Sequence, residues 1–208
     1  MSIISTIARG LVWNTIGTTV AKVIIIANIF YILSHLSVYE YGITELVFSV
    51  IPILGIFLLP GIFDTIVADM SVENGRKNHG RMKGLFIQFL KLQTILGIMA
   101  WALLFFGAPI AAQLSGNESI EYFLRIISFT FLVAPARSAV TMLSVVTLRF
   151  IDQSLFLVVE ESSKFLFLVL FLGVLHLGPA GLLYATVLAP LLAVLLYLPR
   201  TFSAYRQF

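Results

Sequence analysis

Five ionisable residues, Lys22, Arg137, Glu160, Glu161 and Lys164, lie deep inside long apolar stretches of the chain. An ionised side chain at the centre of a bilayer costs roughly 2.5–3.5 kcal/mol on insertion scales. Such groups therefore turn towards one another, towards water or towards a ligand. Three of the five are basic and two acidic. Gathered at similar depth, they would line a hydrated cavity that leans positive. Guanidinium and ammonium groups there would suit an anionic head group, a phosphate or pyrophosphate, through charge-assisted hydrogen bonds.

Spacing refines this picture. In the first apolar segment Asn14, Thr18 and Lys22 recur at i, i+4 and i+8, with Thr15 and Thr19 beside them, which makes a polar stripe on a helix. Lys22 falls about 11 residues into the segment, roughly 16 Å deep, too deep to snorkel easily. Asn14 and Thr18 equally suit hydrogen bonds to a neighbouring helix. Arg137, Thr141 and Ser144 share a second face, and Pro135 just before them removes a backbone hydrogen bond. That proline predicts either a bend beside a cavity or a simple kink with Arg137 paired to a neighbour. Glu160 and Lys164 stand at i, i+4 with the acid first, the better orientation for an ion pair, so those two can satisfy each other. Glu161 has Phe165 at the same offset and needs Arg137, Lys22, water or a proton. Arg125 is expected to reach an interface or to pair with Glu121 one turn earlier. Asp64 and Asp69 are expected to flank a helix end, and Lys91 to snorkel.

The elements that must hold these residues are membrane helices. Hydrophobic residues make up 60% of the 208 and charged residues 11%, with a mean hydropathy of +1.04, whereas soluble domains carry about 25% charge. A span needs about 20 mostly apolar residues. The chain predicts six, over 11–33, 43–67, 84–112, 120–148, 154–175 and 180–198, in a single all-α membrane domain covering residues 1–208. Pro52 and Pro60-Gly61 should bend the second twice. The turn His176-Leu177-Gly178-Pro179 should fold the last two into a helical hairpin. The runs are too long and too evenly apolar for barrel strands. The first is too long for a signal core and lacks a clear cleavage site.

Lys and Arg in the loops set the orientation. Arg9, the run from Arg76 through Lys77 and Arg81 to Lys83, Arg149, Arg200 and Arg206 all fall on the side of both termini. The opposite loops, 34–42, 113–119 and the His176 turn, have none. A multi-pass protein of the cytoplasmic membrane with both termini cytoplasmic is the expectation. Catalysis has little to work with. The chain has no cysteine, hence no disulfide, thiolate metal site or cysteine nucleophile. His35, His79 and His176 are scattered, Asp64 and Asp69 lack a third ligand, and no glycine-rich phosphate loop precedes a lysine. The chain therefore reads as a non-enzyme without catalytic residues, metal, cofactor or nucleic-acid partner.

Several short motifs occur in a recognisable order: Arg9-Gly10-Leu11-Val12-Trp13-Asn14, then Tyr39-Glu40-Tyr41-Gly42, then Leu59-Pro60-Gly61-Ile62-Phe63-Asp64 before a basic loop, then Leu177-Gly178-Pro179-Ala180-Gly181. Over nearly all its length the chain resembles the N-terminal half of polysaccharide-biosynthesis proteins, the Wzx-like oligosaccharide flippases of the multidrug/oligosaccharidyl-lipid/polysaccharide (MOP) exporter superfamily. The resemblance implies one six-helix lobe of a MOP/MATE-like transporter, which faces a second lobe across a central cavity. It implies a polyprenyl-diphosphate-linked oligosaccharide, moved by alternating access for surface polysaccharide biosynthesis, and it gives Lys22 the place of a basic residue on the first helix. The other cavity residues, Arg137, Glu160, Glu161, Lys164, Asn14, Thr18 and Thr141, rest on depth and spacing. Family members have about twice as many spans, so a second lobe is expected: a missing C-terminal half, a partner chain or a second copy. A drug or metabolite exporter of the same superfamily and a non-transporting assembly subunit are the alternatives.

Overall fold

The structure is a computed structural model that describes residues 3–56 and 60–206. Leu59, and the side chains of Arg9, Leu11, Pro60 and Arg206, lie outside the described part. The helices fall where the apolar runs predict them. The first span is α1 (Ile3–His35). The second is divided into α2 (Val38–Phe48), α3 (Val50–Gly55) and α4 (Pro60–Gly75). The third is α5 (His79–Ser115) and the fourth α6 (Ser119–Ser128) with α7 (Thr130–Val146). The fifth is α8 (Phe150–Leu168), prolonged by π-helical turns over Val169–Val174, and the sixth is α9 (Pro179–Arg206). Among the described residues five stretches are long and apolar enough to cross a bilayer: Val12–His35, Val38–Gly55, His79–Ser115, Ser119–Val146 and Pro179–Thr201. The fifth predicted span is not among them. It is the segment that carries Asp152, Glu160, Glu161 and Lys164.

Local chemistry explains the interruptions. Pro52 has no N–H to offer the carbonyl of Phe48, and α2 ends at Phe48. Pro60 opens α4, where a missing N–H costs nothing. The fourth span departs from expectation. Its break lies at Phe129, whose N–H reaches back only to Ile126 at 3.3 Å, and α7 continues through Pro135. Pro135 leaves the Phe131 carbonyl without its helical donor, and Gly97 of α5 lies against that oxygen: a Cβ at Gly97 would sit 2.6 Å from it.

The turns are fixed by side chains. Ser37 caps α2 with its hydroxyl at 3.3 Å from the Glu40 N–H, while the Glu40 carboxylate accepts from the Ser37 N–H at 2.9 Å. The Tyr39-Glu40-Tyr41-Gly42 motif is thus the N3 end of a capping box. Gly116, at φ 65, closes α5, and Gly178, at φ 56, precedes the proline that starts α9. Glu73, buried at the end of α4, holds Arg76 at 3.4 Å and Arg81 at 3.5 Å, and its neighbour Asn74 donates to the Val146 carbonyl at 3.0 Å. These bonds tie the α4–α5 turn to the end of α7.

The core comes in two tiers. At the end of the bundle that carries the termini, Met70, Met82, Phe89 and Met142 pack α4, α5 and α7 together, while Phe156, Ala193 and Tyr197 join α8 to α9. At the opposite end Val47, Leu104, Leu124, Ile127 and Leu183 form one cluster, and Ile32, Leu168, Leu172 and Leu182 another. α9 is central, with 56% of its span buried; α1 is peripheral, with 17%, and packs chiefly on α8. Lipid is as apolar as leucine, so helices in a membrane associate by close packing and polar contacts rather than by expulsion of water. Gly97→Ala is therefore expected to cost about 1–3 kcal/mol through overpacking. Gly84→Ala, with open space around its Cβ, should be neutral or stabilising by up to about 1 kcal/mol. Thermal unfolding of the two variants in detergent checks the contrast.

Candidate functional site

Because α1 and α8 run side by side in the same direction, rotation about each axis decides which residues meet. Gly10 meets Phe150, Gly17 meets Ser154, Asn28 donates to Glu161 Oε2 at 3.2 Å, and Tyr31 lies edge-on to Phe165 at 5.6 Å. These contacts define a seam. At about 100° per residue, Asn14, Thr18 and Lys22 lie roughly 40°, 80° and 120° round α1 from the centre of that seam. A strict i, i+4, i+8 stripe thus winds out of the contact. On α8, Lys164 and Glu160 lie roughly 65° and 100° from the seam in the opposite sense. Opposite rotations on two facing parallel helices bring both sets to the same side of the pair. α7 stands on that side, since Arg137 Nε donates to Glu160 Oε2 at 3.0 Å.

The side so formed is basic. Lys22 is exposed, and among the described residues it has no hydrogen-bonding or ion-pairing partner. Lys164 is half-buried and equally unpaired. Arg137 keeps 49% of its side chain exposed and commits its Nε edge to Glu160, whose side chain is 12% exposed. By register Lys22 stands about one turn nearer the termini than Glu160, and Lys164 one turn beyond it. The three cations therefore occupy about 10 Å of depth.

Two expectations, those for the partner of Glu160 and for the placing of Glu161, are corrected. Glu160 does not pair with Lys164 but with Arg137 from the neighbouring helix. A guanidinium offers a rigid fork of donors to a carboxylate, while a lysine on the same helix must bend its stem to reach. Glu161 does not face the basic side. It sits in the α1–α8 seam, where the amide of Asn28, 2% exposed, donates to its carboxylate and lies 3.4 Å from its backbone carbonyl. Thr18 and Thr141 turn their hydroxyls onto carbonyls of their own helices, Thr18 onto Asn14 at 2.8 Å and Thr141 onto Arg137 at 3.1 Å. Asn14 lies beside the seam, its Oδ1 buried without a hydrogen bond among the described residues. The expected Arg125–Glu121 pair is present at 2.7 Å. Asn28 and Glu73 were not foreseen.

No protein-family model matches the sequence, and no curated protein matches it either. Two solved structures match its fold. One is the crystal structure of a MATE mutant, with a TM-score of 0.79 and 17% identity over 92% of this chain and 44% of that one. The other is an outward-facing multidrug resistance MATE family transporter of the MOP superfamily, with a TM-score of 0.77 and 18% identity over 93% of this chain and 44% of that one. The chain thus has the fold of one lobe of a MOP transporter and spans about 44% of the length of the chains it matches. It is a multi-pass membrane protein.

The pairing makes an asymmetric prediction. Arg137→Met strands the enclosed Glu160 carboxylate and should cost about 2–4 kcal/mol. Glu160→Gln keeps an acceptor and leaves Arg137 free to hydrate, costing about 1 kcal/mol. Lys164→Met should cost less than about 1 kcal/mol. Chemical unfolding in detergent ranks the three, and a Lys164 variant as damaging as the Arg137 variant would restore the pairing within α8.

Proposed function

We propose that the chain is one lobe of a membrane transporter that flips a polyprenyl-diphosphate-linked oligosaccharide across the cytoplasmic membrane, with a second lobe closing the cavity from the other side. The observation that carries this reading is the charge on the side shared by α1, α7 and α8. Lys22, Arg137 and Lys164 stand there against one carboxylate, Glu160, which is itself held by Arg137. A diphosphate arriving between them would meet two ammonium groups and the free edge of a guanidinium. Water or the ligand would complete their hydrogen bonds, and the anion would lose less solvation than in bare hydrocarbon. Glu160 positions Arg137 rather than touching the ligand. The absence of Lys and Arg from the loops opposite the termini agrees with cytoplasmic termini. Substrate would then be loaded from the cytoplasmic side and released beyond it as the lobes rock.

A drug exporter lobe is the second reading. It is favoured by the multidrug transporter among the matching structures. An organic cation, however, would be repelled by three basic groups, so the two readings part on the sign of the ligand charge.

Vesicles from cells that make the chain would supply any second lobe. In them, a fluorescent polyprenyl-diphosphate sugar should become accessible on the far side. Arg137→Glu and Lys22→Glu should each slow this about tenfold or more, the loss of one charge-assisted contact reversed to repulsion. Efflux of a lipophilic cation should not depend on the chain. Cation efflux that quickens in the Arg137→Glu variant, with no movement of the diphosphate, would favour the exporter reading instead.

A further inference from the structure

At the end of the bundle away from the termini, α6, α7 and α9 line an open apolar trough of about 580 Å3. Ile126, Leu132, Val133, Val187, Leu188 and Leu191 line it. The hydroxyls of Tyr122 and Tyr184 meet at 2.6 Å across its upper end. From Tyr122 to Val133 the trough runs about 16 Å along the helices, the depth of one leaflet of a hydrocarbon core about 30 Å thick. Arg125 forms part of its wall and also of the wall of a second cavity of about 610 Å3, which Gln113, Asn117, Glu118 and Glu121 surround. Tyr122 lines both as well, so Arg125 and Tyr122 together join an apolar slot to a more polar recess.

The charges select an occupant. Arg125 places one nitrogen on Glu121 at 2.7 Å, stacks over Phe105 at 5.4 Å and keeps 43% of its side chain exposed. Glu118 is exposed and has no partner among the described residues. Two carboxylates against one guanidinium leave the recess with an excess of negative charge. An anionic head group would add to that excess. A head group with a phosphate and a protonated amine would answer both signs, with the phosphate beside Arg125 and the ammonium beside Glu118 and Glu121.

We propose that this trough and recess hold an aminophospholipid of the phosphatidylethanolamine class, with one acyl chain between α7 and α9 and the head group in the more polar recess. The site is separate from the proposed transport side and does not rest on that reading. Its lowest α7 residue, Val133, ends one turn short of Arg137, so its occupancy leaves the Arg137–Glu160 pair undisturbed.

Native mass spectrometry of the chain in nanodiscs that contain equal parts of phosphatidylethanolamine, phosphatidylcholine and phosphatidylglycerol tests this directly. After stripping with detergent, phosphatidylethanolamine should be retained at one per chain and about fivefold over either competitor, the factor expected of a partly exposed charge pair. Glu118→Gln, at a position with no internal bond to lose, should abolish most of that preference. Leu188→Trp, which fills the trough, should lower the retention of every phospholipid. Phosphatidylglycerol retained as well as phosphatidylethanolamine by the unmodified chain would overturn the proposal. So would full lipid retention in the folded Leu188→Trp variant.

Discussion

An ionised group cannot stand in hydrocarbon without a partner or water, and the arrangement around α8 follows from that constraint. α8 carries three acids, and each is answered from a different direction. Asp152 lies 4.0 Å from Arg149 and 3.7 Å from Arg200 of α9. Glu160 takes Arg137 of α7. Glu161 takes Asn28 of α1. α8 thus draws partners for its acids from α1, α7 and α9, and α9 in turn packs against α6 and α2. Among the described residues Lys164 makes no ion pair or hydrogen bond, so its ammonium turns to water or a ligand.

The same constraint gives the basic side its character. Once Glu161 is withdrawn into the seam and Glu160 is engaged by Arg137, the three cations outweigh what remains of the acid. Polar contacts between membrane helices are individually modest, about 0.6 kcal/mol on average. Their main effect here is to fix which face of each helix looks inward. Close packing at Gly10, Gly17 and Gly97 lets the helices approach closely enough for those contacts to form.

Helix extents, turns and the Glu121–Arg125 pair were legible in the sequence because each is a one-dimensional feature. Apolar run length gives a helix its extent, Gly178-Pro179 gives the last turn, and the i, i+4 spacing gives Glu121–Arg125. Contacts between helices were not, because they depend on rotation about each axis. The rule that joins Glu160 to Lys164 within α8 takes no account of a guanidinium on α7. The Asn14, Thr18, Lys22 stripe advances about 40° at each step, so one member touches the seam and the last clears it. A signal for Asn28 did exist. It continues the spacing of seven and four set by Gly10, Gly17 and Ala21, small residues that mark where α8 approaches. The break at Phe129 had no such sign, since the proline that should have caused it lies six residues later.

The central claim is that Lys22 and Lys164 face water on a shared side, while the far face of α1 meets lipid. The chain contains no cysteine, so single cysteines can be introduced without a background. The decisive measurement is the rate at which Lys22→Cys, Lys164→Cys and Ile26→Cys react with a charged, membrane-impermeant thiol reagent in intact and opened membrane vesicles. Ile26 is 53% exposed on the face of α1 opposite the seam. Rapid labelling at positions 22 and 164, protection of position 26, and slowed labelling at 22 and 164 on addition of a polyprenyl diphosphate are the predicted results. Positions 22 and 164 as unreactive as position 26 would contradict the account.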